Sequence, residues 1–421
     1  MRLTLNQLDM DIAALRVVQR FAHPADSVLR HFFRDNSKLG VNDRAFITET
    51  VFGVLRHFFF LKYIVGTTTP RPLLLAYLVK FRGANLRELM PFVSEAEAKW
   101  LVKIKAERLK SQSLAVRSEF PEWLVEKMRG FMLDADILTF GFSLQQPASL
   151  DLRVNTLIAK RDEVLATLSK DGIEAQITPY SPIGIRVARN STISQHDLFS
   201  AGKIEVQDEG SQLLGYLLEP KRGDIVVDFC AGAGGKTLMM GALMSSKGRI
   251  YAFDVSEKRL NNLKPRLKRS GLSNLYPRWI SNENDIKVKR LTGKIDRVLV
   301  DAPCSGLGTL RRNPDLKFRQ SPQSIERAKC KQAAILSSSA NLLKPDGRLV
   351  YATCSFLPEE NQEIIEGFLT SHTQFTLLNC AEIFAQQKIP LDTGKFLQLL
   401  PSVHGTDCFF AAALKLVKKD A

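Results

Sequence analysis

Two cysteines of this 421-residue chain stand where a thiol could react. Cys304 closes the run Asp301-Ala302-Pro303-Cys304, and Cys354 sits in Thr353-Cys354-Ser355. Each follows an apolar stretch that reads as a strand, Arg297 to Val300 and Arg348 to Ala352. In parallel α/β sheets the carboxyl edge of the strands carries the ligand site. A pair of thiols there suits covalent catalysis. One thiolate adds to an electron-poor carbon, and a second thiolate, or a water beside it, takes the proton that must leave before the adduct collapses. The ordinary alternative for a cysteine in an apolar sheet is a buried structural thiol, and Cys330, Cys380 and Cys408 keep that reading. Cys230 keeps it for its thiol, although its place in a glycine loop makes it a ligand-lining candidate.

That loop runs Asp228-Phe229-Cys230-Ala231-Gly232-Ala233-Gly234-Gly235-Lys236-Thr237, between an expected strand and an expected helix. A phosphate-binding P-loop would need glycine at the position of Cys230, and the dinucleotide fingerprint fails at Thr237. An adenosyl ligand remains, supported by Asp254 at the end of the next strand, where a carboxylate can accept from both ribose hydroxyls. Asp254 could instead be a plain helix N-cap. The residue facing adenine is open among Asn282, Glu283 and Asp285, with Asn282 chosen because the third strand is expected to end at Ser281. Lys236 could orient the loop or approach the ligand's carboxylate. With an adenosyl ligand beside two thiols, a fitting reaction is methyl transfer from S-adenosylmethionine to carbon 5 of a cytosine. That carbon is a poor nucleophile until a thiolate adds at carbon 6. Asp301 could hydrogen-bond the amino group and ring nitrogen of the base. The thiol chemistry leaves open which of Cys304 and Cys354 attacks.

The elements that must hold these residues come in three expected parts. Over 1–140 apolar residues recur at helical spacing, as in Val28, Leu29, Phe32 and Phe33, or Phe46, Ile47, Val51, Val54, Leu55 and Phe58. Helices continue at Leu74 to Val79 and Trp100 to Leu109, and no strand signal precedes about residue 148. Residues 141–210 read as a small α/β domain, with strands at Leu150 to Val154, Ile173 to Thr178 and Gly184 to Ala188 and a helix at Arg161 to Lys170. Arg153 and Asn155, at the end of its first strand, could touch a substrate. Residues 211–421 alternate strand and helix, from Ile225 to Asp228 through Cys408 to Leu414. This predicts a Rossmann-like α/β domain with a mostly parallel, seven-stranded sheet.

The net charge of +15 favours a polyanionic partner. Residues 258–331 hold 19 basic against 6 acidic side chains, and residues 1–130 hold 21 against 13, which suggests two contacts with nucleic acid. Arg311, Arg312 and Lys317, close after the Cys304 loop, are expected phosphate contacts. No stretch reaches the ~18 apolar residues of a membrane span. The cysteines show neither a C-x-x-C pair nor zinc spacing, so no metal site is expected, and free thiols suit a reducing cytoplasm.

Cys230 to Thr237, Asp-Ala-Pro-Cys-Ser-Gly at 301–306, Arg-Arg-Asn-Pro-Asp-Leu-Lys at 311–317 and Ala-Thr-Cys-Ser at 352–355 together resemble the bacterial ribosomal RNA cytosine-C5 methyltransferases of the Sun (RsmB) type. The resemblance covers nearly the whole chain. It implies an all-α N-terminal domain like the NusB antitermination factor, supported by Asn42-Asp43-Arg44-Ala45-Phe46 with Gly53-Val54-Leu55-Arg56, and makes Arg44 a further RNA-binding candidate. It also implies Cys354 as the nucleophile and Cys304 as the releasing residue, with 230–236, Asp254 and Asp301 around the cofactor. A monomer acting on small-subunit ribosomal RNA is expected. A transfer-RNA methyltransferase and a non-enzymatic RNA-binding assembly factor are the alternatives. The chain departs from the family at Ala233, where proline is common, and at Cys408, where glycine is usual.

Overall fold

The computed structural model describes residues 4–108, 112–189 and 191–417. The chain forms two compact units, Met1–Pro147 with Thr309–Pro322, and Ala148–Gly308 with Gln323–Ala421. The expected three-part division differs from this, because the small sheet and the large sheet share one unit.

The first unit is helical, and no strand precedes Leu150 among the described residues. Helix Leu5–Val18 starts at Thr4, whose hydroxyl accepts from the backbone of Gln7 and satisfies an otherwise orphaned donor. Helices Val41–Arg56 and Pro70–Lys80 pack against it around Leu8, Leu15, Ile47, Val51, Leu73 and Leu74, all fully buried. Gly53 is required at this crossing, since a Cβ there would lie 1.9 Å from the Tyr77 hydroxyl. The expected helix Trp100 to Leu109 is Glu95–Ala106, with Leu109 outside the described residues. Helical structure reaches Gln145. Residues 309–322 complete this unit: Phe318 stacks on Phe21 at 4.4 Å and meets the edge of Phe58 at 4.9 Å. Asp315 accepts from the backbone of Ala25.

The second unit holds two sheets. The smaller is antiparallel in the order β2-β3-β1-β4, from β1 (Leu150–Val154), β2 (Ala175–Ile177), β3 (Gly184–Val187) and β4 (Ile204–Val206). The larger comprises β5 (Ile225–Asp228), β6 (Arg249–Asp254), β7 (Leu275–Trp279), β8 (Ile295–Asp301), β9 (Leu343–Thr353), β10 (Phe375–Leu378), β11 (Leu397–Leu399) and β12 (Phe409–Leu416). Seven strands follow the order β10-β12-β9-β8-β5-β6-β7, and β11 adds an eighth by pairing with β12. The expected count of seven is corrected, because a three-residue strand is too short to show a period. Pairings from β7 through β6, β5 and β8 to β9 are parallel, and those made by β12 are antiparallel. Strand order reverses around β5, so the carboxyl ends of β5 and β8 flank a crevice of the kind in which open α/β sheets bind ligands. No described helix is long and apolar enough to cross a membrane.

Candidate active site

A cavity of about 880 Å³ opens at those carboxyl ends, within the range of small-molecule sites. Cys230, Ala231, Gly232, Ala233, Gly235 and Lys236 from the loop after β5, Asp254 at the end of β6, Asp301 at the end of β8 with Cys304 beyond it, and Cys354 after β9 all line it. The sequence had scattered them over 125 positions. The sheet gathers them because each ends or follows a strand of the same parallel set.

The loop is shaped by its glycines. Gly232 adopts φ 56°, and nothing lies within 4 Å of where a Cβ would stand, so its missing side chain leaves open space in the cavity. Gly234 does not line the cavity. It caps helix Gly235–Leu243 with φ 80° and lets Leu263 pack where a Cβ would clash. Asp254 is buried at the rim and accepts from Gly232 N (2.8 Å) and Ser256 N (2.7 Å), which leaves acceptor capacity on both oxygens. Arg266 donates to the carbonyl of Ala233 (2.7 Å) and pairs with Glu205 of β4, so the small sheet braces the loop. Arg153 and Asn155, expected near a substrate, are buried braces instead. Arg153 donates to Gln207 and to the carbonyl of Gly235, and Asn155 to the carbonyls of Gly202 and Ser270.

Lys236 donates to Asp301 at 2.6 Å. Burial pulls its pKa down, but Asp301 and Asp228 outweigh this and the net shift is upward, so the ammonium stays charged. Asp228, buried beneath the loop and accepting from Thr237 (2.6 Å), is pushed up to about 7, chiefly by burial. Asn282, chosen to face adenine, does not line the cavity. β7 stops at Trp279, two residues early, so Asn282 is exposed outside the cavity and Glu283 lines it with Ile280. Asp285 caps the helix Ile286–Lys289.

The sulfurs of Cys304 and Cys354 lie 3.4 Å apart. Their hydrogen bond, then burial, pushes the Cys304 thiol well above the ordinary range, so Cys304 keeps its proton at neutral pH. Sequence reasoning missed what fixes this spacing. Glu360, fully buried, accepts from Ser305 N (2.8 Å), Ser305 Oγ (2.6 Å), Ser355 Oγ (2.5 Å) and Gln332 Nε2 (3.0 Å). One carboxylate thus ties together the residues that follow both cysteines, and the repeated Cys-Ser pair was the available signal. Gly308 is the second brace. Its amide donates to the carbonyl of Cys354 (2.9 Å), its carbonyl accepts from Cys408 N (3.0 Å), and a Cβ would come within 2.7 Å of both neighbours. Cys408, at the position where the resemblance leads one to expect glycine, packs against that glycine.

The expected phosphate contacts fare differently. Lys317 is buried in the first unit and donates to Glu119 Oε2 (3.3 Å) and to the carbonyls of Arg56 and Glu119, with its ammonium over Phe59 and Phe318. Burial lowers the Lys317 pKa and raises that of Glu119. Arg311 is buried as well, donating to the carbonyl of Pro147, and Arg312 is half-buried beside it. Arg311 and Lys317 are therefore corrected from surface contacts to interior ones, because their partners come from segments more than 150 residues away in sequence. Arg44 is half-buried and donates to the carbonyls of Leu39 and Ser37.

A family model described as 16S rRNA methyltransferase RsmB/F matches residues 215–415, and one for the RsmF/B-like ferredoxin-like domain matches 120–194. Ribosomal RNA small subunit methyltransferase B of Klebsiella pneumoniae subsp. pneumoniae is 31% identical, over 91% of this chain and 92% of that protein. The chain belongs to this family. Its members are ribosomal RNA methyltransferases, and their methyl donor is S-adenosylmethionine. A Synechocystis relative described as probable ribosomal RNA small subunit methyltransferase B is 36% identical over 72% of this chain and 68% of its own. The crystal structure of PH0851 superposes with a TM-score of 0.80 at 27% identity, covering 98% of this chain and 99% of that one.

Proposed function

We propose that this methyltransferase modifies carbon 5 of a cytosine in small-subunit ribosomal RNA through a covalent adduct with Cys354. The observation that carries this reading is the 3.4 Å approach of two thiols on the wall of the cofactor cavity. S-adenosylmethionine supplies the methyl group when bound. Cys230 to Ala233 of the loop, with Asp254 and Glu283, would hold its adenosyl part, and Lys236 would meet its carboxylate end. Gly234 contributes by holding the loop's shape.

Cys354 is the attacking thiolate in this reading, the role that the family resemblance implies. Its sulfur bonds to carbon 6, and the electron pair displaced from the ring double bond makes carbon 5 nucleophilic. Asp301, fixed by Lys236, would hold the amino edge of the base. After methylation the carbon 5 proton passes to a water held beside Cys304, the electron pair of that C–H bond restores the ring double bond, and the sulfur–carbon 6 bond breaks to return Cys354 as thiolate. A base must leave its stack to reach these thiols. The helical unit is read as a NusB-like RNA-binding domain carrying Arg44 and Arg312 as contacts, and the protein as a cytoplasmic monomer.

Substituting the two cysteines separates their roles. Cys354→Ala should abolish both methylation and any protein–RNA adduct. Cys304→Ala should methylate once and remain joined to RNA in a denaturing gel, with the labelled methyl group in the adduct. An adduct from Cys354→Ala and none from folded Cys304→Ala would reverse the assignment. Bisulfite sequencing of ribosomal and transfer RNA, with and without the gene, identifies the cytosine.

A further inference from the structure

The basic belt of residues 258–331 is not uniformly engaged. Arg266 and Arg269 pair with Glu205, Arg297 with Asp224, Lys317 with Glu119 and Arg319 with Asp315. Arg278 and Arg290 are exposed and form no ion pair among the described residues. Both line a second cavity, about 530 Å³, at the free edge of the large sheet. Its other cation is Lys287, and no carboxylate lines it.

The aromatic lining is Tyr251, Phe253 and Trp279. Tyr251 and Phe253 lie ring over ring at 6.3 Å. Trp279 is 46% exposed, yet its ring is held in place: the indole nitrogen donates to the carbonyl of Val255 (3.1 Å) and the Lys287 ammonium sits 5.2 Å from the ring centre. A large aromatic surface kept in solvent and fixed among cations matches the requirements of an unpaired nucleotide, a π-face for the base and positive charge for the phosphates. Pro277 lies in the middle of β7, the edge strand, and removes a backbone donor there, which disfavours a protein partner adding as a further strand.

We infer that this pocket binds a single-stranded segment of the RNA substrate, stacking a base on Trp279 and placing phosphates at Arg278 and Arg290. It rests on the ribosomal RNA reading and adds a docking site outside the cofactor cavity. The segment held would be one flanking the target, so the pocket contributes to RNA affinity and not to the chemical step.

Binding of a 16S rRNA transcript to the full-length protein tests it. The double variant Arg278→Glu/Arg290→Glu should raise KM for RNA with kcat, cofactor affinity and melting temperature unchanged. Replacing these charges removes two phosphate contacts, so the slope of log affinity against log salt should become shallower by about 1.4. Trp279→Ala should weaken binding roughly 5- to 150-fold, and Trp279→Phe should regain most of it, since a phenyl ring still stacks. Wild-type RNA affinity and salt slope in the double variant would overturn the proposal and leave the pocket to a peptide ligand. Lost cofactor affinity in the double variant would overturn it too, making the pocket a support for the neighbouring cavity wall. If the wild-type protein itself neither binds nor methylates the transcript, the ribosomal RNA reading fails first, a result distinct from either.

Discussion

Residues 301–306 and 311–319 are separated by four positions, and both are rich in groups able to do chemistry, yet they belong to different compact units. The first keeps Asp301 and Cys304 on a cavity wall, with backbone and serine groups fixed by Glu360. The second turns Arg311, Asp315 and Lys317 into the interior of the helical unit. What distinguishes them is where their partners lie. Asp301 meets Lys236 at the mouth of a crevice, whereas Lys317 meets a carboxylate that is itself consumed in structure. Glu119 accepts from Phe59 N and Phe60 N, both at 2.9 Å, and so caps the start of helix Phe58–Val65. A charged motif beside a cavity-lining loop can therefore be an internal fastening.

Removing the Lys317 ammonium tests this contrast through stability. Lys317→Met leaves Glu119 buried without its cation and should cost about 3–5 kcal/mol in the helical unit. Lys317→Met with Glu119→Gln should recover part of that, because the amide oxygen can still accept from the helix start. Denaturant unfolding measures both. A Lys317→Met protein of unchanged stability but weakened RNA binding would place Lys317 back among the phosphate contacts.

Glu360→Gln should act on the other segment. It keeps the size of the side chain but gives a donor where Ser305 and Ser355 both need an acceptor. A fall in kcat of roughly 10- to 100-fold, with KM for S-adenosylmethionine unchanged, is expected if the carboxylate sets the cysteine spacing. Calorimetry of cofactor binding is the control. Equal losses in kcat and cofactor affinity would instead indicate general damage to the unit.

The smallest effect concerns Asp11, buried in helix Leu5–Val18 with neither oxygen hydrogen-bonded and pushed up to about 8, chiefly by burial. A carboxyl whose folded pKa lies above its unfolded value near 3.8 binds more protons when folded. Its contribution to stability is full below about pH 4 and is lost as pH rises through 8. Asp11→Asn should flatten that decline, by at most about 1.4 kcal/mol per pH unit. Thermal melts from about pH 5 to 9 would show it. An unchanged profile would mean that the carboxyl finds a partner in solution.

The glycine loop, Asp254, Asp301 and the two cysteines could be read from the chain because each is local: a strand, then a few residues whose types suit a ligand. Parallel topology carries such local signals to one edge. Helical periodicity likewise marked the helices that precede Leu150. The end of β7 could not be read with the same accuracy, since Trp279-Ile280-Ser281 continues the apolar character without continuing the pairing, and this moved the cavity lining from Asn282 to Glu283. β4 and β11, three residues each, were too short to show alternation. The helical and α/β character of the chain, the family and most of the cavity lining were legible because they depend on neighbours along the chain. The 3.4 Å thiol spacing, the Glu360 tie, the inward turn of Lys317 and the gathering of Trp279, Arg278 and Arg290 around one pocket came from folding. The thiol pair, the Ser305–Glu360 bond and the Lys317–Glu119 pair join residues 50 to 198 positions apart, and whether a charge faces water or a buried carboxylate is fixed by what folding brings opposite it.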